Sequence, residues 1–140
     1  MTNTRSLRTV LALAFVLNLT WANLFAFAPS MVEGLYRLPL IDGMHLYLSM
    51  SRGAAFLILS IVALLPLVLP VRFREMTLVL VIAYFCFFLV DVILLARGQM
   101  GLMVLLPEMI AFMLLSAALV RFSPLMQQKE APKAADKPAA

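Results

Sequence analysis

Four stretches of the chain run for about twenty residues with few polar interruptions, and short clusters rich in Gly, Pro and Arg separate them. A helix that crosses a hydrocarbon layer of about 30 Å needs roughly 20 apolar residues. The first stretch extends from Thr9 to Ala28, the second from Leu46 to Leu69, the third from Met76 to Ala96 and the fourth from Leu102 to Phe122. Helices are the expected form, because an open sheet would strand backbone polar groups in lipid and the alternation of a barrel strand is missing. The pattern therefore predicts an all-α membrane protein, an antiparallel bundle of four transmembrane helices in one domain over residues 1–122.

The connections fix which helices are neighbours. Val71–Glu75 and Arg97–Gly101 are too short for anything but an antiparallel turn between successive helices. Pro29–His45 is longer and carries breakers at Pro29, Gly34, Pro39 and Gly43. Its apolar residues Met31, Val32, Leu35, Tyr36, Leu38, Leu40 and Ile41 predict a segment lying along the membrane interface. Residues 123–140, rich in Lys, Ala and Pro, read as a disordered tail. The first stretch starts basic, at Arg5 and Arg8, as a secretory leader would. Its Ala26-Phe27-Ala28 site is followed by Pro29, a poor cleavage context, so it is expected to stay as a true span.

Composition agrees with the pattern. Of 140 residues, 64% are hydrophobic and 13% charged, against about 45–50% and 25% in soluble domains. The mean hydropathy of +1.03 excludes a water-soluble globule. A single cysteine, Cys86, excludes an internal disulfide or a thiolate cage. The basic residues carry orientation. Arg5, Arg8, Arg72, Arg74, Arg121, Lys129, Lys133 and Lys137 fall on one side, and Arg37, Arg52 and Arg97 on the other. Positive residues stay inside, which predicts both termini in the cytoplasm of a bacterial inner membrane. They do not form a nucleic-acid patch, since they have no folded soluble face.

Three charged residues interrupt the spans: Arg52, Asp91 and Glu108. Counted along the helices at 1.5 Å per residue, each lies roughly 8–9 Å below the same boundary. Asn23 falls at a similar depth on the first span. Charges at that depth should face the interior of the bundle and find partners, and Arg52 has enough donors to serve both Asp91 and Glu108. The layer would carry a formal charge of −1. Either one carboxyl holds a proton or a further cation completes it, from His45 or Arg97 at the rim, a bound ion or a ligand amine. The layer is read either as a static lock between helix faces or as a ligand or proton site. Ser49, Gly53, Ser60 and Ala63 beside Arg52 suit close helix contact. Pro66 and Pro107 are potential kinks.

No nucleophile–base constellation, phosphate loop or metal-ligand spacing appears, so neither a metal nor another cofactor is expected. Three features together resemble the DoxX-like group of four-span bacterial inner-membrane proteins. They are Phe27-Ala28-Pro29 at the end of span one, Arg52-Gly53-Ala54-Ala55 in span two and Pro107-Glu108 in span four. The resemblance covers residues 9–122. It implies a four-helix bundle in which Arg52 and Glu108 match the group's polar positions, and leaves Asp91 unmatched. The first expectation for function is a non-enzymatic accessory or interaction subunit, partnered by the bilayer and by a larger membrane complex or a second copy. A small proton-coupled transporter using Arg52, Asp91 and Glu108 is the alternative. A membrane enzyme or quinone- or lipid-binding protein is the third.

Overall fold

The computed structural model describes residues 2–36, 43–70 and 72–123. Among them the chain forms five α-helices and no strand: α1 Thr2–Phe27, α2 Pro29–Tyr36, α3 Gly43–Val68, α4 Met76–Ala96 and α5 Leu102–Phe122. All but α2 are long and apolar enough to cross a membrane, so the protein is a multi-pass integral membrane protein. Helices α4 and α5 begin and end where the hydropathy pattern places them. Helix α1 starts at Thr2 instead of Thr9, and α3 at Gly43 instead of Leu46, because a helix carries on past the apolar boundary until its backbone meets a stop signal. Residues 37–42 of the second connection, with Arg37, Leu40 and Ile41, lie outside the described residues, as does the tail beyond Ser123.

Local chemistry sets the breaks. Pro29 opens α2 at the first helical position, where its missing N–H costs nothing. At the end of α4, Gly98 takes φ +66°, its N–H donates to the Leu95 carbonyl and the Gln99 N–H donates to Leu94. This pair of bonds is a glycine-based helix stop that satisfies carbonyls otherwise left open. Both α3 and α5 run unbroken through Pro66 and Pro107.

Helix α1 packs most extensively on α3, and α4 on α5; contacts of α1 with α5 and of α3 with α4 close the ring. Around the bundle the order is α1, α3, α4, α5, which leaves α1 diagonal to α4 and α3 diagonal to α5. The core is a central column including Leu11, Phe56, Leu80, Leu105 and Leu119, while α4 buries only the stripe Thr77, Leu80, Tyr84 and Asp91. Ser49, Gly53, Ser60 and Ala63 are all buried, as the small-residue stripe requires. A Cβ on Gly53 would come within 3.1 Å of the Ala22 carbonyl oxygen and the Phe25 Cβ, and 3.2 Å of the Ala26 nitrogen. Glycine is what lets α1 and α3 approach there. Near mid-helix, the Asn18 amide donates to the Tyr84 hydroxyl at 2.7 Å, with both residues buried.

The described part of the second connection is helical. Residues 29–36 form a helix whose Val32 and Tyr36, four apart and so on one face, are buried, while Met31 and Leu35 are exposed. One turned-in face docks on the bundle because Val32 and Tyr36 find an apolar surface at the end of α1.

Substituting Gly53→Leu is expected to force α1 and α3 apart and cost about 1–3 kcal/mol, read as a lower unfolding midpoint in detergent. Gly34→Ala meets open space and should leave that midpoint unchanged or slightly raised.

Candidate functional site

The site is assembled at one end of the bundle, where α1 ends, α3 and α5 begin, α4 ends and α2 lies across. Arg52 sits about two and a half turns into α3 and Glu108 somewhat under two turns into α5. Their side chains meet across the diagonal: the guanidinium Nη2 donates to Glu108 Oε1 at 2.5 Å. The other oxygen of Glu108, Oε2, accepts from the Tyr36 hydroxyl at 2.6 Å. Helix α2 is thereby tied to the far side of the bundle. The Glu108 side chain keeps 4% of its surface and that of Arg52 keeps 26%, so the carboxylate is sealed while the arginine side chain stays partly exposed.

Burial, the largest cause, holds the Tyr36 hydroxyl far above the ordinary tyrosine range. Arg52 offsets part of this, and the charge and hydrogen bond of Glu108 add to it. The phenol therefore remains a proton donor to Glu108 at every physiological pH.

Rings surround the charges. The Arg52 guanidinium carbon lies 5.1 Å from the Phe25 ring centroid, 5.6 Å from Tyr36, 5.9 Å from Phe56 and 6.0 Å from Phe87, all at about the limit for a cation–π attraction. Phe25, Phe56, Phe87 and Phe112 supply one phenyl ring from each spanning helix. Phe56 stacks on Phe87 at 5.1 Å and 8°, and Phe87 on Phe112 at 5.4 Å and 24°. Phe25 stacks on Phe56 at 5.8 Å and 11°. The result is an apolar floor between the charged layer and the membrane midplane. It excludes water and makes each electrostatic contact above it stronger.

Asp91 is brought to the same layer but not into the same network. It is 1% exposed, within electrostatic reach of both Glu108 and Arg52, and neither carboxyl oxygen has a hydrogen-bond partner among the described residues. The Arg52 Nε is likewise buried and unpartnered. The expectation that Arg52 serves both acids is corrected: its described hydrogen bond goes to Glu108, because the aromatic rings fix the direction of the guanidinium. Asn23 is a second correction. It shares the depth but faces outward, with its amide turned back on the Leu19 carbonyl at 2.7 Å, since the α1 face carrying Ala22 and Phe25 is the one turned inward. His45 and Arg97 are exposed at the rim. No group of three or more His, Cys, Asp or Glu is gathered among the described residues.

Sequence reasoning passed over Tyr36, Phe25 and Phe56. Spacing held a clue to the floor: Phe56, Phe87 and Phe112 each lie four residues from Arg52, Asp91 and Glu108 on the midplane side, one turn deeper on the same face. For Tyr36 the clue was Pro29 as a helix start with Val32 and Tyr36 in register behind it.

Comparisons with known protein families, characterised proteins and solved structures found no match to this chain.

Glu108→Ala should strand the guanidinium. The expected loss is somewhat below the about 3–5 kcal/mol seen when one partner of a fully buried pair is removed, because the Arg52 side chain stays partly exposed. Tyr36→Phe should cost about 1.5 kcal/mol or slightly more. A double-mutant cycle between the two positions should show coupling; strict additivity would mean that the Tyr36–Glu108 bond carries no energy.

Proposed function

We propose that this membrane protein is a non-enzymatic accessory subunit of the bacterial inner membrane, with both termini in the cytoplasm, related to the DoxX-like proteins that its Arg52 and Glu108 positions resemble. The observation that carries the reading is the Arg52–Glu108–Tyr36 network. Both oxygens of Glu108 are engaged in holding α2, α3 and α5 together, which is what a structural lock does and what a general base must avoid. The excess of Lys and Arg on the side of the termini supports the orientation.

The outward surface is where a partner would sit. Helix α4 turns a single stripe to the bundle and leaves Leu78, Ile82, Phe85, Leu89 and Ile93 exposed, a broad apolar face for a neighbouring helix. Extraction in mild detergent followed by native mass spectrometry is expected to recover the chain within a larger complex. Bulky replacements on that face, Ile82→Trp with Leu89→Trp, should release it while leaving its own unfolding midpoint in place. Recovery only as a free monomer or homo-oligomer would sink the accessory role.

One observation favours a second reading, a small proton-coupled carrier. Asp91 is a carboxyl deep in a span with no hydrogen-bond partner among the described residues, and such groups mark ion and proton pathways. In proteoliposomes this reading expects solute flux driven by a pH gradient and lost in Asp91→Asn. Flux that is equal in wild type and variant, or none at all, removes it.

A further inference from the structure

Two polar groups of the charged layer are left over once the lock is complete, and they are of opposite kind. Asp91 offers two acceptor oxygens and Arg52 Nε offers one donor; all three atoms are buried and unpartnered among the described residues. Leaving buried hydrogen-bonding atoms unmade is expensive, and more so for charged groups. Among the described residues the charges do not balance either: Arg52 against Asp91 and Glu108 leaves the layer one formal negative charge. What completes such a site is a group of charge +1 that donates to Asp91 and accepts from Arg52.

The surroundings narrow its chemistry. A hard metal cation wants six or more oxygen ligands. Here Glu108 has spent both oxygens on Arg52 and Tyr36, and Asp91 supplies only two. The rings beside the Arg52 guanidinium, including Phe56 and Phe87, are of the kind that attract an organic cation, and Phe87 is one turn from Asp91 on α4. A quaternary ammonium would enjoy the rings but has no N–H for Asp91. A primary ammonium has three N–H donors and suits both. Arg52 Nε then calls for an oxygen on the same ligand.

We propose that Asp91 and Arg52 form a binding site for a primary ammonium group carrying a nearby oxygen acceptor, as in ethanolamine. The ammonium donates to the Asp91 carboxylate and the oxygen accepts from Arg52 Nε, with the phenylalanine floor closing the site toward the midplane. The Arg52 side chain keeps 26% of its surface, and this is taken as the side from which a ligand enters. Arg52 lies at the α2 end of the bundle, the end that headgroups of the adjacent leaflet and free solutes alike would approach. The chemistry is shared by phosphatidylethanolamine headgroups and by free amino alcohols. The site goes beyond the accessory role and stands whether or not a partner complex is found.

The test uses the full chain in nanodiscs of phosphatidylcholine alone, with the unfolding midpoint as readout, since a ligand of the folded state raises it by mass action. Ethanolamine should raise the midpoint saturably and choline, its N-methylated counterpart, should not. Asp91→Asn should weaken the ethanolamine response about tenfold or more, a change of about 1.4 kcal/mol per decade. Repeating the titration in nanodiscs containing phosphatidylethanolamine separates the sources. A raised starting midpoint with no further response to ethanolamine assigns the site to the lipid headgroup; an unchanged starting midpoint with the full response assigns it to a free amine. An equal response to ethanolamine and choline, no response to either in both kinds of nanodisc, or an undiminished response in Asp91→Asn would overturn the proposal. Should Asp91→Asn fail to fold, the contrast between ethanolamine and choline in the wild type decides alone.

Discussion

A guanidinium placed among phenyl rings inside a bilayer has to meet a carboxylate, and the place where Arg52 meets Glu108 sets the geometry of everything around it. The two residues belong to α3 and α5, which do not lie side by side but face each other across the bundle. An ion pair on that diagonal fixes the height of one helix against the other and the rotation of both. Sliding either helix by one turn, about 5.4 Å, would separate the charges in a medium of low dielectric. Lipid tails are as apolar as the helix faces, so the hydrophobic effect gives a membrane bundle little preference among registers. Polar pairs supply it instead.

The other diagonal is treated in the same way. Asn18 of α1 reaches Tyr84 of α4 at 2.7 Å, nearer the middle of the membrane and with neutral groups where charge would cost most. Between the two levels lies the phenyl floor, one ring from each spanning helix. The bundle therefore has a charged layer, an aromatic layer and a neutral polar bond in order of depth. The contact at Gly53 lets α1 close on α3 at the level of the first two. Helix α2 is the exception in length but not in logic. A helix of eight residues has little stability alone, and it is held by the burial of Val32 and by the hydroxyl of Tyr36 on Glu108.

Asp91 stands apart because none of the described residues hydrogen-bonds its carboxyl. Leu80 and Tyr84 on the same stripe of α4 are fully buried in the core, and an apolar residue at position 91 would extend that stripe without the cost of burying a carboxyl. A group placed at such expense beside an ion pair whose Arg52 Nε is itself unpartnered among the described residues is the feature on which a ligand role for this bundle rests.

Hydropathy alone determined the four crossings, their antiparallel order and the shared depth of Arg52, Asp91 and Glu108. Each of these is a property of one helix at a time: twenty apolar residues must span, short loops must reverse, and distance from a helix end is counted at a fixed rise. Legible too was the small-residue stripe on α3, since a face is set by the helical repeat. Only the tertiary structure decided who touches whom. Asn23 and Asp91 were read as equals at one height, yet Asn23 looks outward and Asp91 inward, because the rotation of α1 is set by Ala22 and Phe25 closing on Gly53. Arg52 was expected to divide itself between two acids, and the rings of Phe25, Tyr36, Phe56 and Phe87 direct it to one. Tyr36 came from a stretch full of breakers, and its role depends on an oxygen 72 residues further along the chain. Depth is written in the sequence of each helix; rotation and partnership arise only when the helices are packed together.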